Sequence, residues 1–361
     1  MISIASRLLA TTAAVLALGT STLAAQPFYE GKTVTLLVGF SPGGGTDRFA
    51  RVVQQHLGEH IAGEPTVLVQ NMPGAGSVLA SNYYVDRAPR DGTMLMVGTG
   101  QLLMRILLGV EGSTARIADY EPLMAGPVGR VTSASADLGI DGPADLMDGG
   151  EELIVGSAGV MASIDTILGL RLLDVDFRAI SGYEGKAETL LAMQRGEASV
   201  DGQTTPVYNA TVRPLVEEGS VTPLFAQGFI DGDGNLVRDP AAPEIPTVLE
   251  VYQEVRGEMP SGPAWNAYMA TTAATVVAGK VLMIHEDAPQ EAKDALRAAI
   301  DSMVEDPEFQ ADVEDSLEGY DIFLGDDLDA AVQAAVGIGE EDLAWLRDYL
   351  SSEHGMRFDT N

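Results

Sequence analysis

The stretch KTVTLLVGFSPGGGTD, residues 32–47, decides the fold: an apolar strand pattern runs into three consecutive glycines and then into Thr46 and Asp47, residues able to cap a following helix. Its form recurs at TVLVQNMPGAGS, residues 66–77. Each copy places unobstructed backbone N–H groups at the mouth of a helix, where unpaired amides and the positive end of the helix dipole favour an anion. Two such mouths point to one shared anion site.

Outward from these loops, Phe49, Val52, Val53 and Leu57 recur at helical spacing, residues 67–69 form a second strand, and Val78, Leu79 and Tyr83 mark a second helix. A third strand, 93–97, ends at Gly98, Thr99 and Gly100. This βαβαβ order predicts a parallel sheet with right-handed crossovers, which puts all three loops at the carboxyl edge, where ligands bind in open α/β sheets. The theme restarts after Tyr120, with strands expected at 123–128, 153–159, 177–180 and leading to Asp201, a helix near 143–147, and a helix containing Leu190, Leu191 and Met193. The Gly-, Asp- and Pro-rich segment 230–246 reads as a connection near a lobe boundary. Helical patterns at 290–305, 307–317 and 326–351 are expected to pack back on the first lobe.

At 361 residues, two lobes of ordinary size are the default. Arg7, the apolar run 8–18 and the small pair Ala24 and Ala25 read as an export signal, so residues 1–25 are expected to be removed. The run 267–284 approaches spanning length but is diluted by Thr271, Thr272, Thr275, Gly279 and Lys280, and reads as core, so the mature chain has no membrane insertion of its own. With no cysteine there is no disulfide, thiolate metal site or lipid-acceptor thiol. A formal net charge of −32 with no basic patch makes nucleic acid and anionic membrane surfaces poor partners, and no nucleic-acid partner is expected. The acidic, lysine-poor surface reads as an adaptation to salty surroundings, in which screening over about 8 Å leaves local amides and hydroxyls to hold an anion.

The first loop lacks the Gly-Lys-Ser/Thr ending of a P-loop, and the third glycine of a dinucleotide fingerprint would fall on Arg48. No nucleophile elbow or His-Glu-x-x-His motif is present, so neither a catalytic residue nor a cofactor is expected. His56 and His60 have metal-like spacing but read as the end of a solvated helix, and Asp231, Asp233 and Asn235 imitate a calcium loop that fails at Leu236 and Ala242. No metal site is expected.

SPGGGTD with MPGAGS, DGTMLMVGT at 91–99, IVGSAG at 154–159, GYEGKAETLLAMQRGEAS at 182–199 and ALRAAIDSMVEDPEF at 295–309 together resemble the extracytoplasmic solute-binding proteins of the tripartite tricarboxylate transporter family, the Bug/TctC proteins. The ordered set spans almost the whole chain after the signal. The resemblance implies a two-lobed α/β periplasmic-binding-protein fold, type II-like, each lobe a mainly parallel sheet flanked by helices. Residues 26–123 with 246–361 would form one lobe and 124–245 the other. It implies a small organic carboxylate ligand, periplasmic residence, no catalysis, and delivery to a membrane permease of one large and one small subunit.

Carried onto this chain, the ligand would meet Ser41, Gly44, Gly45, Thr46 and Asp47 from the first loop and Ala75, Gly76 and Ser77 from the second, with Phe40 flanking its carbon skeleton. Thr99 would complete that lobe, and Ser157, Ser163 and Tyr183 would approach from the other. An acid beside a bound carboxylate is repulsive, so Asp47 is expected to cap its helix or orient water. The chain departs from the family at Asp165, where many relatives carry His, and at Met161, where many carry Gly, which leaves the ligand's identity open. A secreted hydrolase or lyase using Asp47 or Asp165 as base, and a ligand sensor for a signalling receptor, are the alternative functions.

Overall fold

The structure, a computed structural model, describes residues 26–147, 152–183, 185–231, 234–317 and 320–359. The export signal expected at 1–25 lies outside them, as does Asp233. Two five-stranded sheets carry the fold. The first is built from β1 (Thr33–Val38), β2 (Thr66–Asn71), β3 (Met94–Gly98) and β4 (Tyr120–Gly126). The second takes β5 (Arg130–Ser135), β6 (Leu153–Ser157), β7 (Phe177–Ser181), β8 (Val200–Thr204) and β9 (Val221–Ala226). A small hairpin follows, β10 (Phe229–Ile230) with β11 (Leu236–Val237), and β12 (Lys280–His285) returns to the first sheet. The connection expected at 230–246 is therefore partly a hairpin.

The strand orders are β2-β1-β3-β12-β4 and β7-β6-β8-β5-β9. In each sheet three strands pair in parallel, one runs against them, and the last is antiparallel to that one, so four of the five share a direction. The reversed strand comes from a chain crossing in both lobes. β5 enters the second sheet directly after β4 leaves the first, and β12 enters the first after the chain has built the second.

Side-chain alternation assigns the two faces of the first sheet. Leu36, Val38, Leu95, Val97, Leu282 and Ile284 share one core with the helices Gly45–His60, Gln290–Val304 and Pro307–Leu317. Leu37, Met94, Met96, Val281 and Met283 share the other with Val78–Arg87 and Gly100–Leu108. A strand covered on both faces needs a nearly continuous apolar run, and TVTLLV and MLMVG supply it. The first helix buries Phe49, Ala50, Val53 and Leu57, a single stripe at helical period.

Residues 246–361 contribute to the cores of both sheets. The helices Gln290–Val304 and Pro307–Leu317 pack on the first sheet as expected, and Leu328 of Gly325–Val336 joins its other face. The region expected as one helix at 326–351 is two, broken at Gly337 and Gly339, and the second, Glu340–His354, does not pack on the first sheet. Its Leu346 and Leu350 join Val155, Leu168, Tyr268 and Val248 in the core of the second sheet, because the helix Pro263–Thr272 lies between the two and offers it an apolar face. The segment 143–147 is a short 3-10 turn rather than an α-helix. Among the described residues no helix is long and apolar enough to cross a membrane, and 267–284 becomes a helix end plus β12, buried in the molecule.

Candidate functional site

The two glycine loops leave the carboxyl ends of adjacent parallel strands and touch. A Cβ built on Gly39 would lie 1.8 Å from Ser77 Oγ and 2.9 Å from Ser77 Cα, so only glycine lets the second loop cross the first. In that second loop Ala75, Gly76 and Ser77 all have positive φ (47°, 62° and 78°), a left-handed run that turns the chain into the helix Val78–Arg87. Residues 41–45 of the first loop, together with Ala75 and Gly76 of the second, are exposed.

Asp47 departs from the capping expectation. The N-cap is Gly44, and Asp47 is the third residue of the first turn, buried. Its Oδ2 accepts from the Gly43 amide at 2.8 Å and Arg51 Nε at 2.9 Å, and its Oδ1 accepts from Asn71 Nδ2 at 2.9 Å. The same Asn71 amide donates to the Phe40 carbonyl at 3.0 Å. Burial opposes the charge, but the bonds from Arg51, Gly43 and Asn71 outweigh it and hold the Asp47 carboxyl below its usual range. Asp47 is thus a tether that fixes the first loop to the end of β2. Thr46 is buried beside it in the same turn, and Phe40 packs on the rim of the first core.

Thr99 stands at the end of β3 and precedes the helix Gly100–Leu108, which rests against the turn Val160–Ser163 of the second lobe. The hydroxyls of Ser77 and Thr99 are buried and, among the described residues, have no hydrogen-bond partner. On the second lobe, Ser157 is occupied within its own turn: its hydroxyl donates to the Gly159 carbonyl at 2.7 Å and accepts from the Gly159 amide at 3.1 Å. Ser163 accepts from Lys186 Nζ at 3.0 Å. Tyr183, half-buried, lies in the turn between β7 and the helix Lys186–Gln194.

Sequence reasoning missed the cations. Lys280 opens β12 opposite Gly126, at the point where the chain leaves β4 for Arg130 and the second sheet. The crossing is tight: a Cβ on Gly279 would lie 2.7 Å from the Val128 amide nitrogen, which donates to the Val276 carbonyl at 2.9 Å. A Cβ on Gly45 would lie 4.0 Å from Lys280 Nζ, so the ammonium stands at the start of the first helix. Burial, reinforced by the like charges of Arg130 and Arg48, pushes Lys280 down to about 7. Arg130 lies 3.8 Å from Asp165, with its Nε buried and without a hydrogen-bond partner. Lys186 is held down by burial and supported by Asp201 and Asp165. Under the second loop, Arg105 faces Gly76 so closely that a Cβ there would lie 2.5 Å from a guanidinium nitrogen, and burial lowers the arginine's pKa with no acid opposing the shift.

The metal-like spacings resolve into ordinary contacts. His56 bonds Asp312 at 2.9 Å, and His60 bonds Ser302 at 3.0 Å and lies 3.3 Å from Asp306, joining the first helix to its neighbours. Asp231 accepts from the Asn235 amide at 2.8 Å. A broad groove of about 790 Å³ lies away from the loops, between β7 and the helix Glu340–His354. Its arginines are paired, Arg171 with Asp174 at 3.4 Å and Arg178 with Glu152 at 3.3 Å, so it offers an anion no spare positive charge. Lys280 and Arg105, beside and beneath the glycine loops, have no acid partner among the described residues.

No family model matches the chain. A UPF0065 protein from the tcbD-tcbE intergenic region of Pseudomonas sp. strain P51 is 29% identical over 251 residues, covering 65% of this chain and 68% of that protein. The solved periplasmic binding protein BugD superposes with a TM-score of 0.64 at 18% identity, covering 90% of this chain and 98% of its own. MatC from Rhodopseudomonas palustris, solved with bound malate, superposes with a TM-score of 0.59 at 19% identity, covering 88% of this chain and 98% of its own. These neighbours have the same two-lobed α/β fold. The chain is thus similar in sequence to a UPF0065 protein and in fold to solved Bug and TctC solute-binding proteins, the proteins its motifs resemble.

Proposed function

We propose that the protein is a periplasmic solute-binding protein that captures a small organic carboxylate between its lobes, without chemical change, and hands it to a membrane permease of one large and one small subunit. The observation that carries the reading is the pair of glycine loops, locked together by Asn71 and Asp47, whose exposed backbone meets unpartnered hydroxyls and an excess of positive charge. Ser41, Gly44, Gly45, Ala75 and Gly76 would hold a carboxylate, with Ser77 and Thr99 behind them. Thr46 and Asp47 shape the loop, Phe40 borders the ligand's carbon skeleton, and Ser157, Ser163 and Tyr183 close the opposite side. The malate held by MatC fits this ligand class. Asp47 is unsuited to act as a general base, because three hydrogen bonds occupy its oxygens and its carboxyl is held ionised.

The test is a thermal-shift panel of mono-, di- and tricarboxylates and aromatic acids. A ligand that binds only the folded state adds about 2.7 kcal/mol of stability at a hundred times its Kd. A true ligand therefore raises Tm in proportion to the logarithm of its concentration, and a panel in which no carboxylate moves Tm overturns the reading.

A further inference from the structure

Two of the four lysines in this strongly acidic chain, Lys186 and Lys280, stand where the lobes meet, with Arg130 between them and Arg48 at the first helix. A surface lysine in a protein of net charge −32 has abundant acids within reach. Lys280 has none: among the described residues its ammonium makes no ion pair or hydrogen bond, and the charged groups facing it from the first helix and from β5 are Arg48 and Arg130. The neighbouring acids are already matched. Asp165 lies 3.8 Å from Arg130, and Asp201 and Asp165 support Lys186, which also bonds Ser163. Arg130 and Lys186 therefore have their counter-charges, and Lys280 and Arg48 are left over.

Removing a cation from water beside two like charges is unfavourable unless an anion arrives to compensate. Two features fix where that anion would sit. The Lys280 ammonium adjoins Gly45, the first residue of the helix whose amides form the glycine loop, and Arg130 brings the second lobe to the same point. Under the second loop, Arg105 supplies another guanidinium for which no acid partner occurs among the described residues. One carboxylate cannot neutralise positive charge at both ends of this site.

Resting on the carboxylate-binding reading above, we infer that Lys280 is a ligand-binding residue that pairs directly with an acid group of the bound molecule, and that with Arg130 and Arg105 it makes the cleft select ligands carrying at least two negative charges. A buried charge pair made only with the ligand, on an otherwise unpaired cation, gives discrimination as well as affinity.

The experiment is calorimetry on matched acids that differ by one carboxylate: the linear diacids malonate to adipate against the corresponding monoacids, and terephthalate against benzoate. Each is titrated into the wild type, Lys280→Met and Lys280→Arg, with near-UV circular dichroism to confirm folding. In the wild type at least one diacid binds about 30-fold or more tightly than its monoacid partner, Lys280→Met collapses that ratio to about 3 or less, and Lys280→Arg keeps most of it. A wild type that binds mono- and diacids equally overturns the charge selection and leaves the carboxylate reading standing. A ratio that survives Lys280→Met overturns the role of Lys280. A wild type that binds no acid overturns the carboxylate reading, and this inference with it.

Discussion

Asn71 Nδ2 reaches both Asp47 Oδ1, at 2.9 Å, and the Phe40 carbonyl, at 3.0 Å, so one amide at the end of β2 holds the first turn of the first helix and the last residue before the glycine loop. Both donor hydrogens are used, and both contacts run from the end of β2 to the segment that follows β1. The loop's shape is therefore set by the second strand as much as by its own glycines.

Asn71→Ala removes both bonds while sparing the charge of Asp47. The variant is expected to lose about 1–3 kcal/mol in urea unfolding, because the Asp47 oxygen and the Phe40 carbonyl lose a buried partner. Carboxylate affinity should fall with it. An unchanged unfolding midpoint would show that the tether contributes nothing.

Asp47 also gives the fold an acid limb. Its pKa in the folded protein is depressed, so the unfolded chain binds the proton more readily, and the stability it contributes is present above the unfolded pKa and lost as pH falls through the folded one. Asp47→Asn should flatten the acid side of the stability profile and lower the plateau near neutrality by about 1–3 kcal/mol. A parallel profile for variant and wild type below pH 5 would contradict the assignment.

Two glycines in the same loop separate fold from function. Gly44 has φ −73°, and the nearest atom a Cβ would meet is the Ser41 carbonyl oxygen at 3.5 Å, so Gly44→Val should still fold, losing about 1 kcal/mol as a poorer N-cap. It places a branched side chain over the exposed amides and should abolish ligand binding in calorimetry. Gly39→Ala drives its methyl into Ser77 and should lose stability as well as binding, since backbone must move to relieve the clash. A Gly44→Val protein that still binds would remove the amides from the site.

These contacts mark what was legible in the sequence. Strand and helix periods, the glycine loops and their placement at carboxyl strand ends are local patterns, and β1 to β3 follow them closely. Asp47 was legible as a residue in the first turn, but its partner Asn71 belongs to the next strand, and only the parallel register of β1 with β2 brings them together. Lys280 was hidden more deeply. It interrupts an apolar run, and nothing local says that β12 crosses back to pair with β4 and sets the lysine beside Gly45. The packing of the helix Glu340–His354 is hidden for the same reason: its apolar stripe is readable, but that it joins the core of the second sheet depends on the helix Pro263–Thr272, which lies between the two.

Asp239 clasps the lobes together. Buried, it accepts from Thr205 of the second lobe and from Tyr320, which packs in the first core, each at 2.5 Å, and from the Ala241 amide at 2.9 Å. Tyr320→Phe removes one of the two donors to Asp239 Oδ1, leaving the Ala241 amide, and should cost about 0.5–1.5 kcal/mol. Because the bond spans the lobes, small-angle scattering of the variant should also show a more open average shape. Unchanged scattering and stability together would rule out the clasp.

Lys280 makes the last prediction, a conflict between stability and binding. With its folded pKa near 7 and its unfolded value in the ordinary lysine range, the unfolded chain binds more protons between those limits. Stability of the empty protein should therefore rise with pH from about 7 to 10 through this group, a slope that Lys280→Met removes. At neutral pH the methionine variant no longer holds a cation beside Arg48 and Arg130, and it should be more stable than the wild type by about 1 kcal/mol or more, while losing ligand. A bound anion reverses the sign: it pairs with the protonated lysine and raises its pKa, so binding takes up a proton and weakens as pH climbs above 7. Titration in two buffers of different ionisation enthalpy measures that uptake directly. Uptake near zero at pH 8, with the empty Lys280→Met protein less stable than the wild type, would mean that the lysine is held by the protein and not by what it binds.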